Sequence, residues 1–306
     1  MTTMSRRTAL LSAAAAPAAA FAAPTLASAQ GAPGSAMAHA RGFTLGNFSV
    51  TTLLAGTFPR EEPQGIFGMN VSAEEFAAVS EENFIGTDAA QFFFTPTVVN
   101  TGSEVILFDT GLNAESMASA LGEAGYAPAD ISHVVITHMH GDHIGGMTTE
   151  AGDPAYPNAA YITGQAEFDH WAGAGNDNFE AKVRPFADQF SFIGDGDAVT
   201  SGVTAMAAFG HTPGHMTYMI ESEGQQLVLI ADLANHYVWS LGYPEWEVRF
   251  DMDKAGAAAS RRKVLGMLAA DKVPMIGYHM PFPAAGYVEA RGDGFRYVPV
   301  SYQLMG

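Results

Sequence analysis

Three of the ten histidines in this chain fall within six positions, in the stretch "THMHGDHIGG" at 137–146. The spacing of His138, His140, Asp142 and His143 is H-x-H-x-D-H. A solvated polar loop would draw on Asn, Ser, Lys or Glu; imidazoles and a carboxylate this dense are the donors of a divalent-metal site. At a strand end His138 and His140 point the same way, because side chains alternate with a period of two. Two imidazoles on one side make half a zinc site. Asp142 and His143 lie past Gly141, in a turn, and swing toward a second position. Gly141, Gly145 and Gly146 allow the tight backbone this needs.

Zinc takes about four ligands, so the rest must come from elsewhere. Three candidates end apolar runs: His215 in "GHTPGHMTY", Asp232 in "LVLIAD" and His279 in "VPMIGYH". Singly, each reads as an ordinary loop or cap residue. Beside the dense cluster they complete five histidines and two aspartates, enough for two divalent ions, most simply zinc, sharing one carboxylate.

The elements around these residues are legible as patterns. Apolar and polar residues roughly alternate from Phe43 to Leu54, as in an early strand. Residues 59–91 are acidic and rich in Gly and Pro, with a helix expected at 72–80, Ser72 as N-cap and Glu75 completing a capping box. "FFFTPTVVNTG" and "EVILFDTG" read as two strands joined by a turn at Thr101-Gly102. A helix is expected over 114–123. "HVVIT" (133–137) is a buried-type strand that delivers the chain into the histidine cluster. "AAYIT", "VTAMAAFG", "MTYMIES", "QLVLIAD" and "VPMIGYH" are further strands, and 165–172 a helix. Over 253–270, Asp253 caps a helix that buries Ala257, Val264, Leu265 and Leu268 and leaves Arg261, Arg262 and Lys263 largely outside. Strands mixed with helices in two similar halves imply a layered α/β architecture.

Composition narrows the function classes. The chain is 48% hydrophobic and 11% aromatic, ample for a core, which excludes global disorder. A formal charge of −18 excludes a nucleic-acid partner, which needs a basic stripe. With no cysteine, disulfides, thiolate ligands and thiol nucleophiles are all excluded. No G-x-S-x-G elbow is present. The N-terminus has Arg6 and Arg7 after Ser5, an alanine-rich run and Ala27-Ser28-Ala29, a small-x-small cleavage pattern. This resembles a twin-arginine signal over 1–29, followed by a flexible leader at 30–41. It implies a periplasmic or secreted protein with no membrane partner after cleavage; a homodimer stays open.

The ordered set "FDTG", "THMHGDHIGG", "GHTPGH", Asp232 and His279 resembles the metallo-β-lactamase superfamily. The resemblance runs across residues 42–306 and implies one αββα sandwich of two mixed β-sheets flanked by helices. It places His138, His140 and His215 on a first metal, and Asp142, His143 and His279 on a second. Asp232 would bridge them, and Asp109 would orient a ligand histidine by hydrogen bonding. His211 and Thr212 would support the loop carrying His215, with a solvated His211 the alternative. More narrowly, "VVNTGSEVILFDTG", "ITHMHGDHIGGM", "GHTPGHMTYMIES" and "GFRYVPVSYQLM" are similar to the methyl parathion hydrolase group, near the N-acyl homoserine lactonases. Gly141 departs from that group's frequent proline, and the acidic 59–91 segment, bordering the substrate, leaves the transfer of substrate open.

The implied chemistry is attack by a metal-bridging hydroxide on an ester, lactone or phosphotriester, with Asp142 and Asp232 as catalytic carboxylates. Phe92, Phe93, Phe94, Phe168, Trp171, Trp239, Trp246 and Phe282 are candidates for an apolar pocket, Trp171 and Phe282 foremost. Such a pocket, with no basic cluster in the sequence, favours an acyl or aryl group over an anionic thioester. The leading reading is a secreted dinuclear-zinc hydrolase of lactones or esters with an apolar part; a dedicated N-acyl homoserine lactonase is the alternative. A β-lactamase is disfavoured by the full H-x-H-x-D-H set, and a metal-binding protein without turnover by its intact ligands. A di-iron redox protein is disfavoured by His140, where that class has an acid.

Overall fold

The computed structural model describes residues 39–300. The signal read at 1–29, most of the leader and the end of the tail motif lie outside them. Ala40 and Arg41, read as leader, open the first strand.

In chain order the strands are β1 (Ala40–Leu45), β2 (Phe48–Leu53), β3 (Gly56–Glu61), β4 (Ala89–Phe94), β5 (Thr97–Asn100), β6 (Val105–Phe108), β7 (His133–Ile136) and β8 (Ala160–Gly164). They continue with β9 (Phe190–Ile193), β10 (Ala198–Thr200), β11 (Val203–Ala207), β12 (Met216–Ser222), β13 (Gln225–Ala231), β14 (Met275–Gly277), β15 (Ala285–Arg291) and β16 (Gly294–Pro299). The α-helices are α1 (Gln64–Phe67), α2 (Ala73–Glu82), α3 (Ala114–Glu123), α4 (Gly141–Ile144), α5 (Gln165–Ala174), α6 (Asp177–Lys182) and α7 (Lys254–Asp271). Ser72 caps α2 and Asp253 caps α7, each accepting from the backbone N–H three residues on.

One seven-stranded sheet has the order β1-β2-β5-β6-β7-β8-β9, and a second runs β10 to β16 in sequence. Both are mixed: β6 to β9 are parallel, as are β13 and β14, within otherwise antiparallel sheets. The apolar run in β7 shows why the layers form. Its side chains alternate between faces, so a continuous buried run must be covered on both. Val135 joins the core between the sheets, with Val99, Ile106, Tyr218 and Val228. Val134 and Ile136 join the opposite core, with Met117 of α3, Trp171 of α5 and Phe179 of α6. Val264, Leu265 and Leu268 of α7 belong to the core that holds the second sheet. The αββα sandwich expected from the sequence is the observed architecture. Among the described residues, no helix is long and apolar enough to cross a membrane.

Three local readings change. The single strand read over 43–54 is the β1–β2 hairpin, turned at Gly46 with φ of 56°. "FFFTPTVVN" divides at Thr95-Pro96: β4 pairs with β3 in a separate two-stranded ribbon, while β5 enters the first sheet. Pro96 has no N–H to continue a ladder. Arg261, read as lying outside the buried face of α7, is 1% exposed. A buried guanidinium must be paired, and its Nη1 donates to Asp251 Oδ2 at 2.7 Å while its Nε donates to Pro244 O at 2.8 Å.

The parallel pairs position the site. β6 and β7 end side by side, as do β13 and β14, and ligands in such sheets gather beyond the carboxyl ends of strands. Asp109 follows β6, His138 follows β7, Asp232 follows β13, and Tyr278 and His279 follow β14.

Candidate metal centre

The histidine loop is anchored before it begins. Thr137 N and Thr137 Oγ1 donate to the two oxygens of Asp109, each at 2.9 Å. Asp109 adopts φ of 62°, a left-handed conformation that Asp tolerates better than most residues. The turn expected after Gly141 is a turn of helix, α4. The backbone at 145–146 packs so closely on 110–113 that a Cβ at Gly146 would lie 2.1 Å from Thr110 O. The glycine is therefore a steric requirement at that position.

Two groups of donor atoms result, His138, His140, His211 and Asp232 in one, and Asp142, His143 and His279 in the other; within each, the atoms lie within 4.8 Å of one another. His140 Nδ1 is 3.1 Å from His138 Nε2 and 3.0 Å from His211 Nε2. Asp142 Oδ2 lies 3.4 Å from His279 Nε2 and 3.6 Å from His143 Nε2. Asp232 touches both groups. Its Oδ2 is 3.3 Å from His211 Nε2 and 3.1 Å from His279 Nε2, and its Oδ1 is 3.3 Å from His143 Nε2. Asp232, read as the bridge, is thus within reach of both groups.

Four of the imidazoles are oriented through their other nitrogen. His143 Nδ1 donates to Asp109 Oδ2 at 2.9 Å, as read for Asp109. His279 Nδ1 donates to Phe93 O at 2.7 Å, His138 Nδ1 to Thr137 Oγ1 at 3.1 Å, and His211 Nδ1 to Asp251 Oδ1 at 2.9 Å. Each bond leaves Nε2 facing the centre, the pattern that holds metal-binding histidines.

His215, read as the third ligand of the first metal, stands beside the first group. It is fully buried, but its Nδ1 donates to Ala208 O and its Nε2 accepts from Asp232 N, both at 3.1 Å. Its Nδ1 is held by a backbone carbonyl as that of His279 is, and His211 joins His138, His140 and Asp232 in the first group of donor atoms. The motif "GHTPGH" contains both residues, and nothing local says which imidazole turns inward.

The electrostatics suit metal. Burial and neighbouring imidazoles push His138 well down, and His140 and His215 down to about 3, so these rings are neutral. Burial opposes charge on His211 and His279 too, but Asp232, together with Asp251 at His211 and Asp142 at His279, outweighs it and raises both to about 9. Burial raises the Asp232 carboxyl, yet the charges of His279 and His143 hold it well below the usual range. Asp142, opposed in the same way by burial and favoured by His143, is lowered to about 2. His143 Nε2 and Asp232 Oδ1 are buried without hydrogen-bond partners although they face each other. Unpartnered buried nitrogen and oxygen atoms, beside three imidazole nitrogens in mutual contact, are a donor set that fits borderline divalent cations.

A cavity of ≈ 360 Å³ opens over this centre, lined by His140, Asp142, Asp232 and His279 below and by Phe58, Arg60, Phe92, Phe94, Leu112 and Phe250 around. Phe92 and Phe94, both pocket candidates, are in its wall. Trp171 and Phe282, the foremost candidates, are not. The Trp171 indole is buried and its Nε1 donates to Glu167 Oε1 at 2.6 Å. Phe282 lies past His279 but outside the lining. Phe168 packs on Phe179 and Phe192, Trp239 and Trp246 stack on Phe76, and Phe93 enters the site only through its carbonyl.

Glu167 carries no signal in the sequence, standing alone in an ordinary helical stretch. It is fully buried and joins both ligand-bearing loops: Oε1 accepts from Met139 N at 2.8 Å, and Oε2 from Thr212 Oγ1 at 2.7 Å and Gly214 N at 2.9 Å. Thr212 supports its loop as read, by this bond. Tyr278 OH donates to Asp142 O at 2.5 Å and its ring lies 3.9 Å from that of His143, tilted by 32°.

Residues 95–275 match the family model described as the metallo-beta-lactamase superfamily. An N-acyl homoserine lactonase of Bacillus cereus is 29% identical over 116 residues, 38% of this chain and 43% of that protein. An atrochrysone carboxyl ACP thioesterase of Aspergillus fumigatus is 30% identical over 128 residues, 41% of this chain and 26% of that protein. The chain therefore matches less than half the length of these curated relatives. Among solved structures, AidC, a dizinc quorum-quenching lactonase in complex with a product, has a TM-score of 0.78 at 24% identity, covering 87% of this chain and 99% of that one. The hydrolase AbOPH of the beta lactamase superfamily has a TM-score of 0.80 at 22% identity, with the same coverage. These two likenesses are of fold.

Proposed function

The chain belongs to the metallo-beta-lactamase superfamily, and from that premise we propose that it is a metal-dependent hydrolase. It opens lactones or cleaves esters that carry an apolar part, N-acyl homoserine lactones among them. One observation carries the reading: Asp232, grouped with three histidines, also reaches His143 and His279 of the second group on the floor of an aromatic-walled cavity. The lactonases among the matched relatives support it.

His138, His140, His211 and Asp232 would hold one divalent cation, and Asp142, His143, His279 and Asp232 a second, zinc suiting this nitrogen and oxygen set. Bound cations supply Lewis-acid polarisation of the acyl oxygen and a lowered pKa for water. The protein's own residues do the rest. Phe58, Phe92, Phe94 and Phe250 seat the apolar part and exclude water from it. Asp142, with 24% of its side chain exposed, reaches the cavity and takes up a proton during turnover. Asp232 is buried, with Oδ2 accepting from Asn235 Nδ2 at 2.8 Å, and its role is to hold both groups together.

The test is kinetics of the zinc-loaded protein on N-acyl homoserine lactones, aryl esters, phosphotriesters and a β-lactam side by side. Lactone or ester turnover is expected; no turnover of any of them by fully loaded protein refutes the reading. We also propose export by the twin-arginine route, from Arg6 and Arg7. Replacing both with Lys should hold the precursor in the cytoplasm, and an unchanged periplasmic yield would favour the Sec route.

A further inference from the structure

The β3–β4 ribbon stands outside both sheets, yet it supplies Phe58, Arg60, Phe92 and Phe94 to the cavity wall. In its register Phe58 faces Phe92, and Arg60 faces Ala90. Phe58 and Arg60 are two residues apart and share a face of the strand. The small Ala90 leaves the guanidinium free to lie back over the aromatic wall. Its central carbon is 5.0 Å from the ring centroid of Phe58 and 5.8 Å from that of Phe92. The Phe92 ring in turn meets His279 edge-on at 5.5 Å. The cation therefore sits one aromatic ring away from the candidate metal centre.

Arg60, unlike the other two unpaired arginines among the described residues, Arg41 and Arg249, lines the cavity. Arg184, Arg261, Arg262, Arg291 and Arg296 each pair with a carboxylate. Among the described residues Arg60 pairs with none, in a chain with 32 acidic residues to 14 lysines and arginines. Its guanidinium carbon lies over the rings of Phe58 and Phe92, and among the described residues its N–H groups have no hydrogen-bond acceptor. Ring faces hold a guanidinium but do not satisfy its in-plane N–H donors. Five directional donors are thus presented at the rim of a cavity whose other wall residues are apolar.

We propose that Arg60 is a specificity-determining residue: it donates to an oxygen acceptor, carbonyl or carboxylate, that the substrate carries outside the bond being cleaved. The proposal rests on the hydrolase reading and narrows it. An aromatic wall discriminates weakly between apolar groups, whereas a fixed donor penalises a substrate with no acceptor to offer. The substrate is then an acyl compound with a second oxygen function near its ester or lactone, its apolar remainder lying on Phe58 and Phe92.

The experiment compares two lactones on zinc-loaded protein: N-hexanoyl homoserine lactone, and an analogue whose amide is replaced by two methylenes. Arg60→Met keeps the apolar stem and removes the donors; Arg60→Lys keeps the charge and loses the fork. The preference for the amide-bearing lactone, as a ratio of kcat/KM, should fall by about ten- to a hundredfold in Arg60→Met, the range for hydrogen bonds to a charged group. The fall should lie in KM, since the contact is made equally before and during reaction, with Lys restoring part of it. A preference ratio unchanged in Arg60→Met overturns the proposal. If the wild type opens neither lactone, the lactonase part of the hydrolase reading fails separately. Calorimetric binding of N-hexanoyl-homoserine and of its amide-free analogue then decides on Arg60. Equal affinities in wild type and Arg60→Met overturn it; loss confined to the amide-bearing compound assigns the amide carbonyl, and equal loss for both assigns the carboxylate.

Discussion

His211 Nδ1 lies 2.9 Å from Asp251 Oδ1, and the other oxygen of Asp251 receives Arg261 Nη1 at 2.7 Å. All three side chains are buried. Burial alone would raise the Asp251 carboxyl, but His211 and Arg261 together hold it below the usual carboxylate range. The line runs from α7 to the centre and leaves His211 Nε2 facing Asp232. It makes His211 a ligand candidate and gives the buried Arg261 its reason.

The two histidines of "GHTPGH" should therefore separate by experiment. His211→Ala should lower zinc content and activity together, as should Asp232→Ala. His215→Ala should keep its zinc while losing about 1–3 kcal/mol of stability, because it orphans buried backbone groups. Elemental analysis of gently purified variants checks this. A His215→Ala protein that loses metal and a His211→Ala protein that keeps it would restore the assignment read from the sequence.

Glu167→Gln should weaken zinc binding by about ten- to a hundredfold, the usual scale for residues that hold ligands in place. A carboxamide offers one acceptor oxygen, and its NH₂ would face two donors among Met139 N, Trp171 Nε1, Thr212 Oγ1 and Gly214 N. Trp171→Phe removes only one of the four bonds and should cost about 1 kcal/mol. Chelator competition and denaturant unfolding measure the two effects. Wild-type zinc affinity in Glu167→Gln would show that the loops hold without it.

Zinc binding should release protons near neutral pH. His211 and His279 keep theirs up to about 9 beside Asp232, and a cation binds only the neutral ring. Apparent affinity should accordingly rise with pH through the neutral range and level off near 9. Calorimetry in buffers of different ionisation enthalpy reads the release directly, and a heat independent of buffer would contradict it.

His236 should make the fold acid-sensitive. Its Nδ1 accepts from Val238 N and Trp239 N, its ring stacks 4.0 Å from Trp239, and burial pushes it down to about 3. The unfolded chain takes up this proton near 6.5 and the folded one does not, so the unfolded state binds more protons between those values. Stability from this group is complete above about 6.5 and is lost as pH falls toward 3, about 2 kcal/mol of it by pH 5. In His236→Asn the drop in Tm from pH 7 to 5 should be smaller than in wild type. An equal drop would place the acid sensitivity elsewhere.

The amino-acid sequence by itself determines what is local. The density of His138, His140, Asp142 and His143 announces metal chemistry because few other uses concentrate those donors. Apolar runs and caps locate α2, α3, α7 and most of the strands, since period and capping are properties of neighbours along the chain. The tertiary structure decides whatever depends on the direction of a single bond. His211 and His215 are indistinguishable in "GHTPGH" until Asp251, forty residues on, takes one and the backbone of Asp232 takes the other. Trp171 has the composition of a pocket wall, but its indole N–H goes to Glu167. Arg261 is four residues from both Ala257 and Leu265, so spacing puts it on the buried stripe, while its charge argues against burial; the Asp251 carboxylate, in the loop before the helix, settles the matter. The wall of the cavity comes from a phenylalanine run that parts at Pro96 and lends one half to a ribbon. Periodicity reports the average face of an element, whereas burial makes each polar atom find its own partner, and those partners are distant in sequence.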